Sequence, residues 1–318
     1  MNRLSLAIRL VAVAAIAVSL WWFIRHIDFA AVVAAFAAAH AGWLVVAVVA
    51  SFACLFAKAV CWQILLAPRH RVSVGRLFRY EIAANAASAI TPARAGELLR
   101  VWILKRRDGV PAADTTAIVV AGKNLEYAAL VVLVAPVPWL LPALPRWVGG
   151  TIALCGAIVG AVLVAFWVAV GRVDAARSPT ALRRFIAGMA FLRNPRRLAA
   201  SLVVCVVMWA ADLGAVMAVL YAVDIDTSVA AGVLVLFAVA MTVMWPSTPA
   251  QVGALEVGAL TALDLLHVGT EAAFAFALLY HVVRVVPVLA AGLVLELRLV
   301  VGRDGAGAEL SGAEPGGA

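Results

Sequence analysis

The chain has 318 residues, 66% of them hydrophobic and 13% charged, with a mean hydropathy of +1.06. Soluble domains are about 45–50% apolar and about 25% charged, so this chain has too few polar groups to cover a water-facing surface. That excludes an ordinary soluble enzyme, a disordered protein and a DNA-binding domain. The net charge of +8 then reads as loops facing anionic lipid headgroups rather than as nucleic-acid contact.

The first apolar run covers residues 10–24, behind Arg3 and Arg9, and ends in Trp21-Trp22-Phe23. An uncleaved first helix with an aromatic belt fits it better than a signal peptide. The second span covers 41–66 and carries Lys58 and Gln63. Lys58 lies near enough to the loop to snorkel. A basic loop follows, with Arg69, His70, Arg71, Arg76 and Arg79. Segment 80–99 is apolar but broken by polar and small residues, and leads into a second basic cluster, Arg100, Lys105, Arg106 and Arg107. The next span, 112–135, holds Lys123, Asn124 and Glu126.

A loop rich in Pro and Trp, 136–147, precedes a span at 148–170. The stretch 171–197 is strongly basic, and its middle, ALRRFIAGMAFL, reads as an amphipathic helix lying on the membrane. Span 198–221 carries Asp212, and Asp224 and Asp226 form an acidic turn after it. Segment 229–263 is apolar but interrupted by WPSTPAQVG. The last span, 272–297, contains His281, Arg284 and Pro287. The Gly/Ala/Glu tail, 302–318, is expected to be disordered. The fold class is therefore all-α: a polytopic membrane protein with about six full spans plus two re-entrant or broken hairpins. One transmembrane domain covers 1–301.

Arginine-rich connections mark the cytoplasmic side. Both termini then lie inside, and residues 25–40, 136–147 and 224–228 lie outside. Segment 80–99 has basic flanks at both ends, so it must enter and leave on the cytoplasmic face. Twenty residues can cross a bilayer once but not twice. A re-entrant hairpin is the simplest solution. Segment 229–263 begins and ends outside, either as two tight spans or as a hairpin.

These two segments share a word. Residues 91–98 read TPARAGEL and residues 248–255 read TPAQVGAL, with five of eight positions equal at an offset of 157. Each word breaks a segment between two spans, in opposite orientation. That is the pattern of an inverted-topology repeat with units at about 41–135 and 198–297. Backbone opened by Pro and Gly at membrane depth is tolerated only in a polar cavity or inside protein. Glu97 and Glu256 follow the two breaks, where they either meet substrate or brace half-helices. Arg94 and Arg100 either bind a lipid phosphate or anchor the cytoplasmic face. Lys123 and Glu126 stand at i,i+3 and can pair. Asp212 needs a partner at mid-span, and Arg284 is the candidate. His281 either senses protons or satisfies a local hydrogen bond. The four cysteines show no CxxC spacing, so no disulfide framework, metal site or cofactor is expected.

The stretch from Asn85 through Thr91-Pro92-Ala93-Arg94-Ala95-Gly96-Glu97-Leu98-Leu99-Arg100 resembles the first signature of the lysylphosphatidylglycerol synthase transmembrane-region family. Residues 246–256, PSTPAQVGALE, resemble its second signature, with Ala250 and Gln251 in place of a Gly-Gly pair. The resemblance covers nearly the whole chain. It implies a flippase-like protein that moves phospholipids or polyprenyl or hopanoid-type lipids in the plasma (inner) membrane. The candidate substrate-binding set is Asn85, Thr91, Pro92, Arg94, Gly96, Glu97 and Arg100 in the first segment, with Lys123 and Glu126 on the next span. Pro246, Thr248, Pro249, Gly253 and Glu256 in the second segment and Arg284 complete it. No enzymatic activity is expected, since the tail after Arg303 is too short for a catalytic domain. The expected partners are membrane lipids and a lipid-pathway enzyme, with no nucleic acid. The alternative is a non-transporting scaffold or regulatory subunit of a lipid- or envelope-modifying enzyme.

Overall fold

The computed structural model describes residues 34, 37–67, 69–91, 96–172, 185–186, 188–244 and 249–306. The expected helix at 10–24 lies outside them, as do Pro92, Arg94, Pro246 and Thr248. Regular structure among the described residues is entirely helical. Five helices are long and apolar enough to cross a membrane: α1 (Ala41–Leu66), α4 (Ala112–Val134), α6 (Arg146–Arg172), α7 (Pro195–Ala222) and α10 (Thr270–Ala306). The short α5 (Val137–Leu140) continues the line of α4. The two interrupted segments form α2 (Val74–Ile90) with α3 (Gly96–Arg107), and α8 (Val229–Val243) with α9 (Ala254–Leu265).

Length decides how the second of these segments sits. Helices α8 and α9 have 15 and 12 residues, or about 22 and 18 Å at 1.5 Å per residue, against a hydrocarbon core of about 30 Å. Neither crosses alone, and the two pack against each other as a hairpin. Helix α3, with 12 residues, is equally short.

Local sequence sets several boundaries. Asn194 accepts a hydrogen bond from Arg197 N, and Pro195 occupies the first turn of α7; Pro costs nothing there because its missing N–H would be unpaired anyway. Ser228 caps α8 by accepting from Ala231 N. One expectation is corrected. Helix α10 runs on to Ala306, so residues 302–306 of the tail are helical. Of the expected amphipathic segment, residues 181–184 and 187 lie outside the described ones; Phe185, Ile186 and Gly188 are helical, and a 3₁₀ turn, Ala190–Arg193, follows, with Met189, Phe191 and Leu192 buried. Gly188 sits against the first turns of α4, where a Cβ on it would stand 2.8 Å from that of Ala117.

Helix α1 packs along α7, α2 lies against α10, and α9 lies against both α8 and α10. Exposure is inverted relative to a soluble protein. Val45, Val49, Leu154 and Val203 are more than 60% exposed, while Glu81, Arg100 and Asp212 are 2–3% exposed. Helix α6 buries only Val148 and Ile152. Bare apolar faces with charges inside are the arrangement hydrocarbon selects.

Candidate functional site

Charge gathers where the hairpins meet the long helices. Arg100, at the inner end of α3, donates to Glu81 Oε2 on α2 at 2.6 Å and to Glu97 Oε2 at 3.0 Å. Its guanidinium also lies 4.8 Å from the centre of the Trp62 ring. Lys123 on α4 lies 3.9 Å from Glu97 Oε1 and donates to Glu126 Oε2 at 2.9 Å. Lys58 on α1 completes the chain, 3.4 Å from Glu126 Oε1. Three cations thus face three carboxylates. Each ion is costly in a low-dielectric interior, and the alternation of sign is what makes the cluster tolerable. Lys58 does not snorkel as expected. Its side chain is 12% exposed and is held by Glu126, because an opposite charge lies closer than the loop.

A second cluster joins α7 to α10. Arg284 Nη1 donates to both oxygens of Asp212 at 3.0 and 2.9 Å, and to Tyr280 Oη at 2.7 Å. Tyr280 Oη in turn donates to Asp212 Oδ1 at 3.3 Å. One nitrogen carries all of these bonds. The other N–H groups of Arg284 make none among the described residues, and the side chain is 33% exposed.

Two small cavities, of about 100 and 110 Å³, lie over these clusters. They share Cys54, Leu55, Asn85, Asp212 and Arg284. The first adds Ser51, Ser88 and the tip of the second hairpin, Ala250 and Gln251. The second adds Lys58, Lys123, Glu126 and Trp209. At about 30 Å³ per water, each space holds a polar group rather than a whole lipid.

The candidate residues separate accordingly. Asn85, Lys123, Glu126 and Arg284 line the cavities. Glu97 and Arg100 do not line either one; they belong to the ion network behind the wall. Thr91 returns its hydroxyl to Ala87 O at 2.6 Å. Gly96 is a packing residue: a Cβ there would stand 1.9 Å from Ala84 O, so only glycine lets α3 approach α2 so closely. Glu256 braces the second hairpin, accepting from Gly253 N at 2.7 Å and pairing with His281 Nδ1 at 2.5 Å. Gly253 starts α9 with φ +86, a backbone that glycine adopts freely. Pro249 opens the turn Pro249–Gln251 at the tip.

The sequence reading missed Glu81 and Asp114. Both are buried, Glu81 against Arg100 and Asp114 against Arg69 and His70. For Glu81 a signal existed: it stands four residues before Asn85, whose Nδ2 donates to Glu81 O and Oε2.

Comparison with known proteins fits this architecture. The family model described as lysylphosphatidylglycerol synthase TM region matches residues 9–292. The chain belongs to that family. No curated protein is similar enough to count as a match. Family membership makes the protein a membrane protein of a kind that is often flippase-like, and it aligns the match with the five apolar helices. It also frames the two left-handed residues at the second tip, where this chain carries Ala250 at φ 52 and Gln251 at φ 65. That backbone favours glycine, and here two residues with a Cβ adopt it.

Proposed function

We propose that the protein is a lipid flippase or transporter of the plasma (inner) membrane, with both termini cytoplasmic and no catalytic activity of its own. The observation that carries this reading is the unused edge of Arg284 beside a small polar cavity between the hairpins. A guanidinium whose remaining N–H groups make no hydrogen bond among the described residues suits a lipid phosphate. The cavity admits a headgroup only, so the acyl chains stay among the exposed valines and leucines outside.

The packing supports an inverted repeat of α1–α4 and α7–α10. Helix α1 pairs with α7, and each hairpin touches the last helix of the other unit, α2 on α10 and α8 on α4. Rocking one unit against the other would open the headgroup site to each face in turn. The test uses proteoliposomes with fluorescent phospholipids in both leaflets and a membrane-impermeant quencher. The wild type should exchange lipid, and an Asp212→Asn, Arg284→Met double variant, in which both charges leave together, should not. Equal exchange by the two would overturn the reading.

A further inference from the structure

Helices α1 and α7 are joined at both ends. At one end His40 N donates to Ala222 O at 2.9 Å, His40 Nε2 lies 3.1 Å from Asp224 Oδ1, and the Trp43 and Tyr221 ring centres are 5.2 Å apart. Midway, a Cβ on Gly214 would stand 3.8 Å from that of Ala50. At the other end the sulfurs of Cys61 and Cys205 are 3.5 Å apart, and Ser201 O lies 4.0 Å from Cys61 Sγ. Residue numbers rise on one helix as they fall on the other, so the pair is antiparallel. From His40 to Cys61 the seam is about 32 Å long at 1.5 Å per residue, close to the full depth of the hydrocarbon core. Both helices carry buried small residues along this length, Ala47 and Ser51 on α1 and Ala215 and Ala218 on α7. Close packing of this kind has no slack: parting the helices forfeits many small dispersion contacts at once.

The hairpins also join the two units, and they do so unequally. Helix α2 lies along α10, where a Cβ on Gly292 would stand 2.5 Å from that of Ala86. The matching contact, α8 on α4, is lighter. Inversion of the repeat carries α1 onto α7, α2 onto α8 and α4 onto α10. It therefore maps the α1–α7 seam onto itself, but it exchanges the α2–α10 contact with the α8–α4 contact. Two units of identical shape would make those contacts equally close. Their difference is the asymmetry on which alternating access depends. Both small cavities lie on one flank of the seam, with Cys54 and Leu55 of α1 and Asp212 of α7 as one wall and Asn85 of α2 and Arg284 of α10 as the other.

We infer that the α1–α7 seam is the fixed axis of the protein and that the hairpins do the moving, with α2 leaving α10 as α8 closes on α4. This rests on the transport reading above and on its inverted repeat. The seam keeps the same contacts in both states, because the inversion leaves it unchanged. Opening one hairpin and closing the other moves the access path from one membrane face to the other along a wall that stays still.

The experiment bridges each contact in turn. One variant lacks Cys54 and Cys155 and keeps Cys61 and Cys205, which copper phenanthroline joins across the seam. In a second, all four native cysteines are replaced by alanine, and Ala89→Cys on α2 and Val288→Cys on α10, which line one cavity, are joined by a short bis-thiosulfonate. In proteoliposomes the bridged seam should exchange fluorescent lipid as fast as its own reduced form. The bridged hairpin should lose exchange and regain it on reduction. Loss of exchange on bridging the seam, or full exchange with the hairpin bridged, overturns the inference. If the wild type exchanges no lipid, the transport reading fails, and distances decide the axis instead. Spin labels at exposed positions of the protein without its own cysteines report them in nanodiscs by pulsed dipolar spectroscopy. The pairs are Val49 with Val203 across the seam, and Leu98 with Leu293 and Val257 with Val132 across the two hairpin contacts. The seam should give one narrow distance and each hairpin pair two. Two distances across the seam, or one across either hairpin contact, would refute the fixed axis.

Discussion

The Asp212–Arg284 pair allows structure and function to be separated by a double-mutant cycle. Asp212 is 4% exposed by its side chain and receives two hydrogen bonds from Arg284 Nη1. Arg284→Met removes the cation and keeps the stem, leaving a buried carboxylate with only Tyr280 Oη, among the described residues, to serve it. Breaking a buried pair from one side costs about 3–5 kcal/mol. Arg284 is 33% exposed to the cavity, so water screens part of that cost, and the lower end, about 3 kcal/mol, is expected. Asp212→Asn alone strands the guanidinium, which reaches the cavity, and should cost less, about 1–2 kcal/mol. The double variant has no buried ion left. It should lose only about 1–2 kcal/mol where simple addition gives about 4–5, a coupling energy of about 3 kcal/mol. The assay is equilibrium unfolding in mixed micelles at rising detergent denaturant, read by far-UV circular dichroism. Flippase activity should stay absent in the double variant although its stability returns. Additive losses, with no recovery, would refute the buried-pair reasoning. Recovery of both stability and lipid exchange would make the pair purely structural.

Ala250→Gly should stabilise the protein by about 0.5–1 kcal/mol, because relief of the left-handed backbone exceeds the extra chain freedom glycine loses; the same micelle unfolding measures it, and a destabilised variant would contradict the strain at φ 52. Gly258→Leu should destabilise by about 1–3 kcal/mol or more, since even a Cβ would stand 2.4 Å from Thr242 Oγ1 and 2.8 Å from Val239 Cα; a neutral result would show that α8 and α9 do not cross there. Cys61 and Cys205 have sulfurs 3.5 Å apart on α1 and α7, so oxidation with copper phenanthroline in membranes should join them. Mass spectrometry of the digested protein should find that bridge, and its absence after full oxidation of a single-pair variant lacking Cys54 and Cys155 would place the helices farther apart.

Much of the architecture was legible because the bilayer reads sequence coarsely. Apolar runs of 20 or more residues have one stable outcome, and α1, α4, α6, α7 and α10 appear where hydropathy puts them. The broken words TPARAGEL and TPAQVGAL marked the hairpins, since Pro and Gly open backbone that hydrocarbon cannot satisfy. Chain length alone could not say whether 229–263 crosses twice; the interruption leaves helices of 15 and 12 residues, and neither reaches across.

The site itself was only half legible. Charges in apolar spans announce themselves, so Lys123, Glu126, Asp212 and Arg284 stood out by composition. Two of their pairings were legible as well, Lys123 with Glu126 at i,i+3 and Asp212 with Arg284; Lys58 with Glu126 and Glu81 with Arg100 were not, because those pairs join separate segments, α1 to α4 and α2 to α3. Lys58 looked like a snorkelling residue until Glu126 lay beside it, and Glu81 went unremarked although it is the partner of Arg100. Glu97 and Glu256 were prominent by motif, yet their carboxylates are turned to the scaffold. The sequence determined by itself that this chain is helical, lives in a membrane and breaks twice within it. Only the tertiary structure decided which charges cancel, and therefore which polar groups are left over for a ligand, because cancellation depends on ångström-scale distances between segments that hydropathy treats as independent.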